Sequence, residues 1–300
     1  MRRLDLESVP RESIERFRLD RIPVDRAQSS TADLLRLDGK CALVTGGGGD
    51  GLGNAICHRL AEQGASVAIV DVDAGAAERA AVELRDRWGA TAYAVVADVS
   101  SAGEVARAVS QINSQAGRID ILVNNVGGSG GVNSSGVAVP SGVDIADLTA
   151  EQIDASVAVN LVSALYLCRS VVASMLADGV GGRIIFISSE FGRIGYPGAT
   201  VYSACKAALI GLTRSLAREV GPHGVSPVCV APGLIVGERM LDALSDPNRP
   251  QRPFEFSLER STIGRAAVVD EVASLVGFLA SAAGAYIHGT TVSVGGGMSD

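Results

Sequence analysis

Histidine, cysteine and aromatic residues are scarce in this chain, and what little there is forms no pattern. The three histidines (His58, His223, His288) lack metal-ligand spacing, which points to structural roles rather than a metal site. The five cysteines (Cys41, Cys57, Cys168, Cys205, Cys229) stand singly in apolar stretches without a Cys-x-x-Cys pair. A disulfide framework is therefore not expected, and reduced core thiols in a cytoplasmic protein are. No basic stripe accompanies the formal net charge of -7, so nucleic acid is not an expected partner. No run approaches the roughly 18 uninterrupted apolar residues of a membrane helix, so no membrane partner is expected either.

What the chain has is hydrophobic content of 47% and a regular alternation of short apolar runs with longer amphipathic ones. The apolar runs 41–44, 66–70, 91–97, 119–123, 183–188, 225–230 and 291–294 read as buried parallel strands. Between them, 51–63, 74–88, 101–116, 149–176, 201–220 and 270–281 read as helices, with Ser101 and Glu104 spaced as a capping box. Alternation of this kind predicts an α/β fold, a doubly wound parallel sheet of about seven strands with helices on both faces and right-handed crossovers. Residues 37–300 form one domain, preceded by a charged extension over 1–36 with a short helix near 13–19. Residues 127–142 make a Gly/Ser/Val-rich loop too long for an ordinary connection. Residues 238–263, rich in turns, suggest a flap over the substrate site. Pro227 is awkward in a buried strand, because it removes a ladder donor.

Tyr202 and Lys206 lie four residues apart in a helical stretch, and Ser189 precedes Tyr202 by thirteen. Residues i and i+4 share a helix face. At an effective dielectric of about 20, a unit charge about 4 Å away is worth roughly 4 kcal/mol. That would lower a phenol's pKa from about 10 by about three. The spacing reads as a proton-transfer device with Ser189 as a nearby hydroxyl donor. Alone it is a weak signal. It is accompanied by the run from Thr45 to Gly53, with glycine at 46–49, 51 and 53 after an apolar strand. Asp71 ends the second strand, and Asn124-Asn125-Val126-Gly127 follows the fourth.

Together these residues resemble the short-chain dehydrogenase/reductase family, from about Leu37 to Gly297. The resemblance implies a Rossmann-type fold and hydride transfer between a nicotinamide cofactor and a secondary alcohol or ketone. In it Tyr202 is the general acid/base, Lys206 lowers its pKa and binds the nicotinamide ribose, and Ser189 bonds the carbonyl or alkoxide oxygen. Asn160 then holds a water relay to Lys206. Gly47, Gly51, Leu52 and Gly53 form the pyrophosphate turn at a helix N-terminus. Asp71 takes the adenosine ribose and repels a 2′-phosphate, which favours NAD. Asp98 and Val99 resemble the adenine-contacting pair, Asn125 and Gly127 the turn after the central strand, and Pro232, Gly233 and Ile235 the segment over the nicotinamide. Family members pair through helices like 150–176 and 201–220, so a homo-oligomer, a tetramer, is expected.

Several positions depart from the family pattern. One residue is inserted in the glycine turn, and Gly237, Val228 and Gly295 stand where threonine, asparagine and aspartate are usual. The substrate pocket is expected from Glu190 to Tyr196, the loop 128–143 and the flap. Its arginines Arg193, Arg239, Arg249 and Arg252 are candidates for a substrate carboxylate, although an uncharged secondary alcohol or ketone, cyclic or lipid-like, is the favoured substrate. A 3-oxoacyl-thioester reductase is the alternative enzyme, and a non-catalytic NAD-binding regulator the alternative outside catalysis.

Overall fold

Seven apolar strands form one all-parallel sheet because each is too hydrophobic to leave either face to water. The structure, a computed structural model, describes residues 9–18, 29–130, 134–139, 141–245 and 252–299. The strands are β1 (Cys41–Thr45), β2 (Ser66–Asp71), β3 (Ala92–Val96), β4 (Ile121–Asn124), β5 (Gly182–Ile187), β6 (Val225–Pro232) and β9 (Thr291–Val294). Their order across the sheet is β3-β2-β1-β4-β5-β6-β9. A two-residue ladder of β7 (Ile235–Val236) with β8 (Ala267–Val268) lies apart from the sheet.

Helices α3 (Leu52–Glu62), α4 (Ala74–Trp88) and α12 (Val269–Ala280) contribute to one core, with Ile56, Leu60, Leu84 and Val276 fully buried. On the other face α5 (Ala102–Ala116), α7 (Ser163–Asp178) and α9 (Thr200–Val220) pack with Phe186, Ile112 and Leu167 at the centre. The sheet order reverses between β1 and β4, and a doubly wound sheet opens its ligand crevice at the carboxyl ends of such a pair.

Helix α6 (Ala150–Val157) runs into α7 through a π-helical turn at Ala158–Val162. Together they span 29 residues, long and apolar enough to cross a membrane by length and composition, yet half of the most apolar 18-residue stretch within them is buried in this fold. The expected capping box at α5 does not form. Ser101 makes no side-chain cap bond, and the Glu104 carboxylate instead accepts the Asp98 N–H at 2.9 Å. Pro227 is tolerated because pairing of β6 with β9 begins only at Cys229. The Pro227 carbonyl accepts from Gly289 on that side, so its nitrogen faces a gap in the ladder.

In the extension, α1 (Arg11–Phe17) precedes α2 (Thr31–Leu35), which has a Ser30–Asp33 capping box. The expected helix end at Leu19 lies outside the described residues. The Leu35 carbonyl accepts from Gln63 at 2.6 Å, and Leu37 is buried. Within 238–263, the stretch expected to form a flap, the described residues hold two helices, α10 (Glu238–Ser245) and α11 (Arg252–Arg260).

Candidate active site

The crevice at the carboxyl ends of β1 and β4 is built by close backbone approach. Gly46 turns with φ +66°, and a Cβ on Gly53 would collide with the Gly46 carbonyl oxygen. Thr45 ties this turn to the next strand: its hydroxyl accepts from Asn125 N (3.0 Å) and Val126 N (3.1 Å). The Asn125 amide returns a bond to the Thr45 carbonyl. Gly47 faces inward, where a Cβ would sit 2.7 Å from the Cys57 sulfur, whereas Gly49 and Gly51 face open space.

The tight turn is thus made by Gly46 and Gly53. Gly47, which the spacing selected, serves packing against α3 and β2. Gly51 is the N-cap of α3 and brings no side chain to its amides. Bare N–H groups and the positive end of a helix dipole are what a pyrophosphate needs.

Asp71 ends β2 beside this turn. Its Oδ2 accepts from Gly48 N at 3.0 Å and its Oδ1 from Asp73 N at 3.2 Å. Asp73 does not compete for the role, because its carboxylate caps α4 by accepting from Ala76 N. Asp98 is used differently from expectation. Its Oδ1 takes the Ser100 amide and hydroxyl, and its Oδ2 takes the Ser134 hydroxyl at 2.5 Å. Burial raises its pKa, but these bonds outweigh that and leave it below the ordinary value. Its carboxylate therefore braces the loop after Gly130; Val99 beside it is buried.

The turn after β4 meets α9. Gly127 adopts φ +139°, and a Cβ there would lie 2.7 Å from the Asn160 amide oxygen and 3.0 Å from Lys206 Nζ. Glycine at 127 lets these two side chains reach the crevice floor. Asn160, in the π-helical turn, accepts from Gly128 N at 2.8 Å and donates to the Gly128 and Ser156 carbonyls. Lys206 Nζ donates to the Ile187 carbonyl at 2.9 Å and lies 5.6 Å from the centre of the Tyr202 ring. Ser189, one residue beyond Ser188, has its hydroxyl on Tyr202 and accepts from Phe191 N at 3.2 Å.

The electrostatics depart from expectation. Burial pushes the Tyr202 phenol up, and the bond with Ser189 works the other way without reversing it. Burial also pushes Lys206 down, to about 8, while the Cys229 and Cys205 thiols oppose that.

Pro232 closes β6, Gly233 N donates to Val294 O at 3.1 Å, and Ile235 opens the small ladder with Ala267. Around the mouth, Gly142 N donates to Gly198 O, joining the 128–143 loop to the segment before α9. Phe191 in α8 (Phe191–Ile194) stacks on Tyr196 at 4.7 Å, and Phe256 of α11 meets Tyr196 edge-on at 4.8 Å. Phe191 and Tyr196 thus meet the 238–263 segment through Phe256, and the 128–143 loop reaches Gly198 just before α9, whereas Glu190, expected in the pocket lining, is fully buried. Arg193 is not free for a substrate: its guanidinium bonds Glu190 and Ser299. Arg249, and the side chains of Arg239 and Arg252, lie outside the described residues. Sequence reasoning included Thr45, Gly46 and Gly48 in the glycine run and Gly128 in the pocket loop without giving them these structural roles, which depend on partners across the sheet.

A glycine turn at a helix N-terminus, a carboxylate closing the second strand and a Ser–Tyr–Lys group at the switch point define a dinucleotide-linked oxidoreductase. The chain belongs to the short chain dehydrogenase family, which residues 40–248 match. It is 34% identical over 268 residues to a sorbitol dehydrogenase of Cereibacter sphaeroides, covering 88% of this chain and 98% of that protein. It is likewise 34% identical to the 3-oxoacyl-(acyl-carrier-protein) reductase FabG of Escherichia coli (strain K12), covering 88% and 99%. Among solved structures, a 7α-hydroxysteroid dehydrogenase complexed with NADH and 7-oxo glycochenodeoxycholic acid superposes with a TM-score of 0.78 at 30% identity, covering 90% and 98%. The family binds a nicotinamide cofactor.

Proposed function

We propose that the protein is an NAD-linked dehydrogenase of secondary alcohols, working reversibly on the matching ketones. The observation that carries the reading is the packing of Ser189, Tyr202, Lys206 and Asn160 around the turn at Gly127. When bound, the nicotinamide carries the hydride. The glycine turn and the uncapped start of α3 hold the pyrophosphate. Asp71, its carboxylate oriented by two backbone amides, binds the adenosine ribose and disfavours a 2′-phosphate. Tyr202 gives its proton to the carbonyl oxygen in reduction and takes it back in oxidation. Ser189 donates to that oxygen as charge develops on it. Lys206, still cationic at neutral pH, stabilises the phenolate and reaches the ribose, while Asn160 orders the path behind it.

An uncharged, apolar substrate fits the aromatic trio Phe191, Tyr196 and Phe256 and the apolar flap, where Leu241, Leu244 and Leu258 are exposed. We further propose a cytoplasmic homotetramer in which 1–36 is an arm on a single catalytic domain 37–300. The relationship to the acyl-carrier-protein reductase supports a 3-oxoacyl-thioester as the second reading, against which Asp71 speaks.

The test follows NADH absorbance across polyols, cyclic alcohols, hydroxysteroids and a 3-oxoacyl-thioester, each with NAD(H) and NADP(H). Turnover should fall by about 10²–10⁴-fold in Tyr202→Phe with NADH binding intact, the range expected for a lost acid/base. NADH binding with no turnover on any substrate would leave the regulator reading standing instead.

A further inference from the structure

Glu190 follows Ser189 directly and is fully buried, a costly place for a carboxylate. It is held there by specific partners. The Ser293 hydroxyl, on β9, donates to Oε1 at 2.6 Å. The Arg193 guanidinium lies 3.3 and 3.4 Å from the two carboxylate oxygens. The Glu190 backbone N–H donates to the Pro232 carbonyl at 2.8 Å, so Glu190 is also pinned to the end of β6. Arg193 in turn bonds Ser299, bringing the last described turn of the chain into the network.

The space is reserved for this carboxylate. A Cβ on Gly295 would lie 2.6 Å from Glu190 Cγ and 2.8 Å from Cδ. Residue 295 is therefore restricted to glycine as long as residue 190 carries a long side chain. Glu190 touches no crevice surface, so it cannot meet a substrate or cofactor itself. What it can do is set the backbone on which Ser189 stands. The adjoining points are already fixed: Ser188 N bonds Val230 O, Ser188 Oγ bonds the Lys206 carbonyl at 2.7 Å, and Ser189 Oγ takes the Phe191 amide.

We propose that Glu190 is a positioning residue: gripped by Ser293 and Arg193, it holds the turn that presents Ser189 to Tyr202, and it makes β9 and the C-terminal turn part of the active-site frame. This deepens the functional reading above and rests on it. A donor displaced by about 1 Å can cost about 100-fold in rate, which sets the scale of the effect.

The test compares kcat, KM and Tm of the full-length protein carrying Glu190→Gln, Glu190→Ala or Ser293→Ala. Each change is made alone and in a Ser189→Ala background. Glu190→Gln, which keeps volume and one acceptor, should lower kcat about 10-fold, and Glu190→Ala about 100-fold, with KM for NADH moving little. In the Ser189→Ala background Glu190→Gln should change kcat by less than about 2-fold, since residues acting through one another are not additive. Glu190→Ala with Gly295→Asp, which returns a carboxylate to the same volume from the opposite side, should recover part of the loss.

Full kcat in Glu190→Gln, or the same fold loss with and without Ser189, overturns the proposal. If the Glu190 variants do not fold, Ser293→Ala decides alone: unchanged kcat overturns it, and a loss confined to chains with Ser189 supports it. A wild-type chain without NADH-linked turnover would overturn the functional reading. A working wild type matched by Glu190→Gln overturns only the role of Glu190.

Discussion

Burial and the hydrogen bond from Ser189 oppose each other at Tyr202, and burial prevails. The i,i+4 spacing leaves Lys206 Nζ 5.6 Å from the centre of the Tyr202 ring, but spacing carries no information about desolvation, which raises the phenol and lowers the lysine together. The cofactor-free protein therefore holds Tyr202 as an acid, and alcohol oxidation should speed up as pH rises above neutrality. Lys206 has a second consequence. Between its folded value of about 8 and its ordinary 10.5 the unfolded chain binds more protons, so folding stability rises with pH across that window and is least below it.

Lys206→Met removes this titration. The Tm of the wild type relative to this variant should climb between about pH 8 and about pH 10.5, and a flat difference would contradict the burial of a charged amine. Asp71 gives a cleaner electrostatic test. Asp71→Asn keeps an oxygen for the Gly48 amide and removes the charge. Preference for NAD over NADP, read as the ratio of kcat/KM, should then fall by about 10-fold or more, because like charges at close range cost several kcal/mol and about 1.4 kcal/mol is tenfold.

At the scale of elements, what was legible depended on length and on how local the cause is. Strands β1, β2 and β9 and helices α4 and α9 were readable within a residue or so, because apolar runs and helical periodicity belong to the segment itself. The ladder β7–β8 and the four-residue α8 were not, since two to four residues carry no period and their partners lie elsewhere. The capping box at Ser101 failed for a related reason: Glu104 found the Asp98 amide, a partner from the preceding turn. The π-helical turn at Asn160 also escaped a reading based on one uniform helix, and such turns mark functional positions often.

The flap is an element whose hold on the site can be measured. Phe256 is its aromatic link to Phe191 and Tyr196, at 6.3 and 4.8 Å. Edge-to-face pairs are worth about 0.5–1.5 kcal/mol each beyond their buried area. Phe256→Ala should loosen α11, raise KM for an apolar substrate by about 10-fold and leave the affinity for NADH unchanged, since the glycine turn is untouched. Limited proteolysis of this variant should cut within α11 (Arg252–Arg260) sooner than in the wild type. A variant with unaltered KM would show that the flap is anchored by other contacts.

For the whole molecule, one sheet gathers residues from 45 to 299 at a single edge, which is why the site could be listed from motifs while its supports could not. Thr45, Gly128 and Glu190 act across the sheet, between segments far apart in sequence. The same sheet leaves apolar groups outside on α7: Leu165 is 43% exposed, Leu176 40%, and Val180, just past the helix end, 69%. Leu165 and Leu176 are eleven residues apart, three helical turns, and so share a face. A face of this kind that meets its own copy about a two-fold axis buries each leucine twice, whereas a monomer leaves all of them in water. Leu165→Glu would place like charges across such an axis. Sedimentation velocity should find the wild type as a tetramer and Leu165→Glu as a smaller species with unchanged circular dichroism. A monomeric wild type at micromolar concentration would remove the proposed assembly while leaving the site chemistry, which draws all its residues from one chain, as it stands.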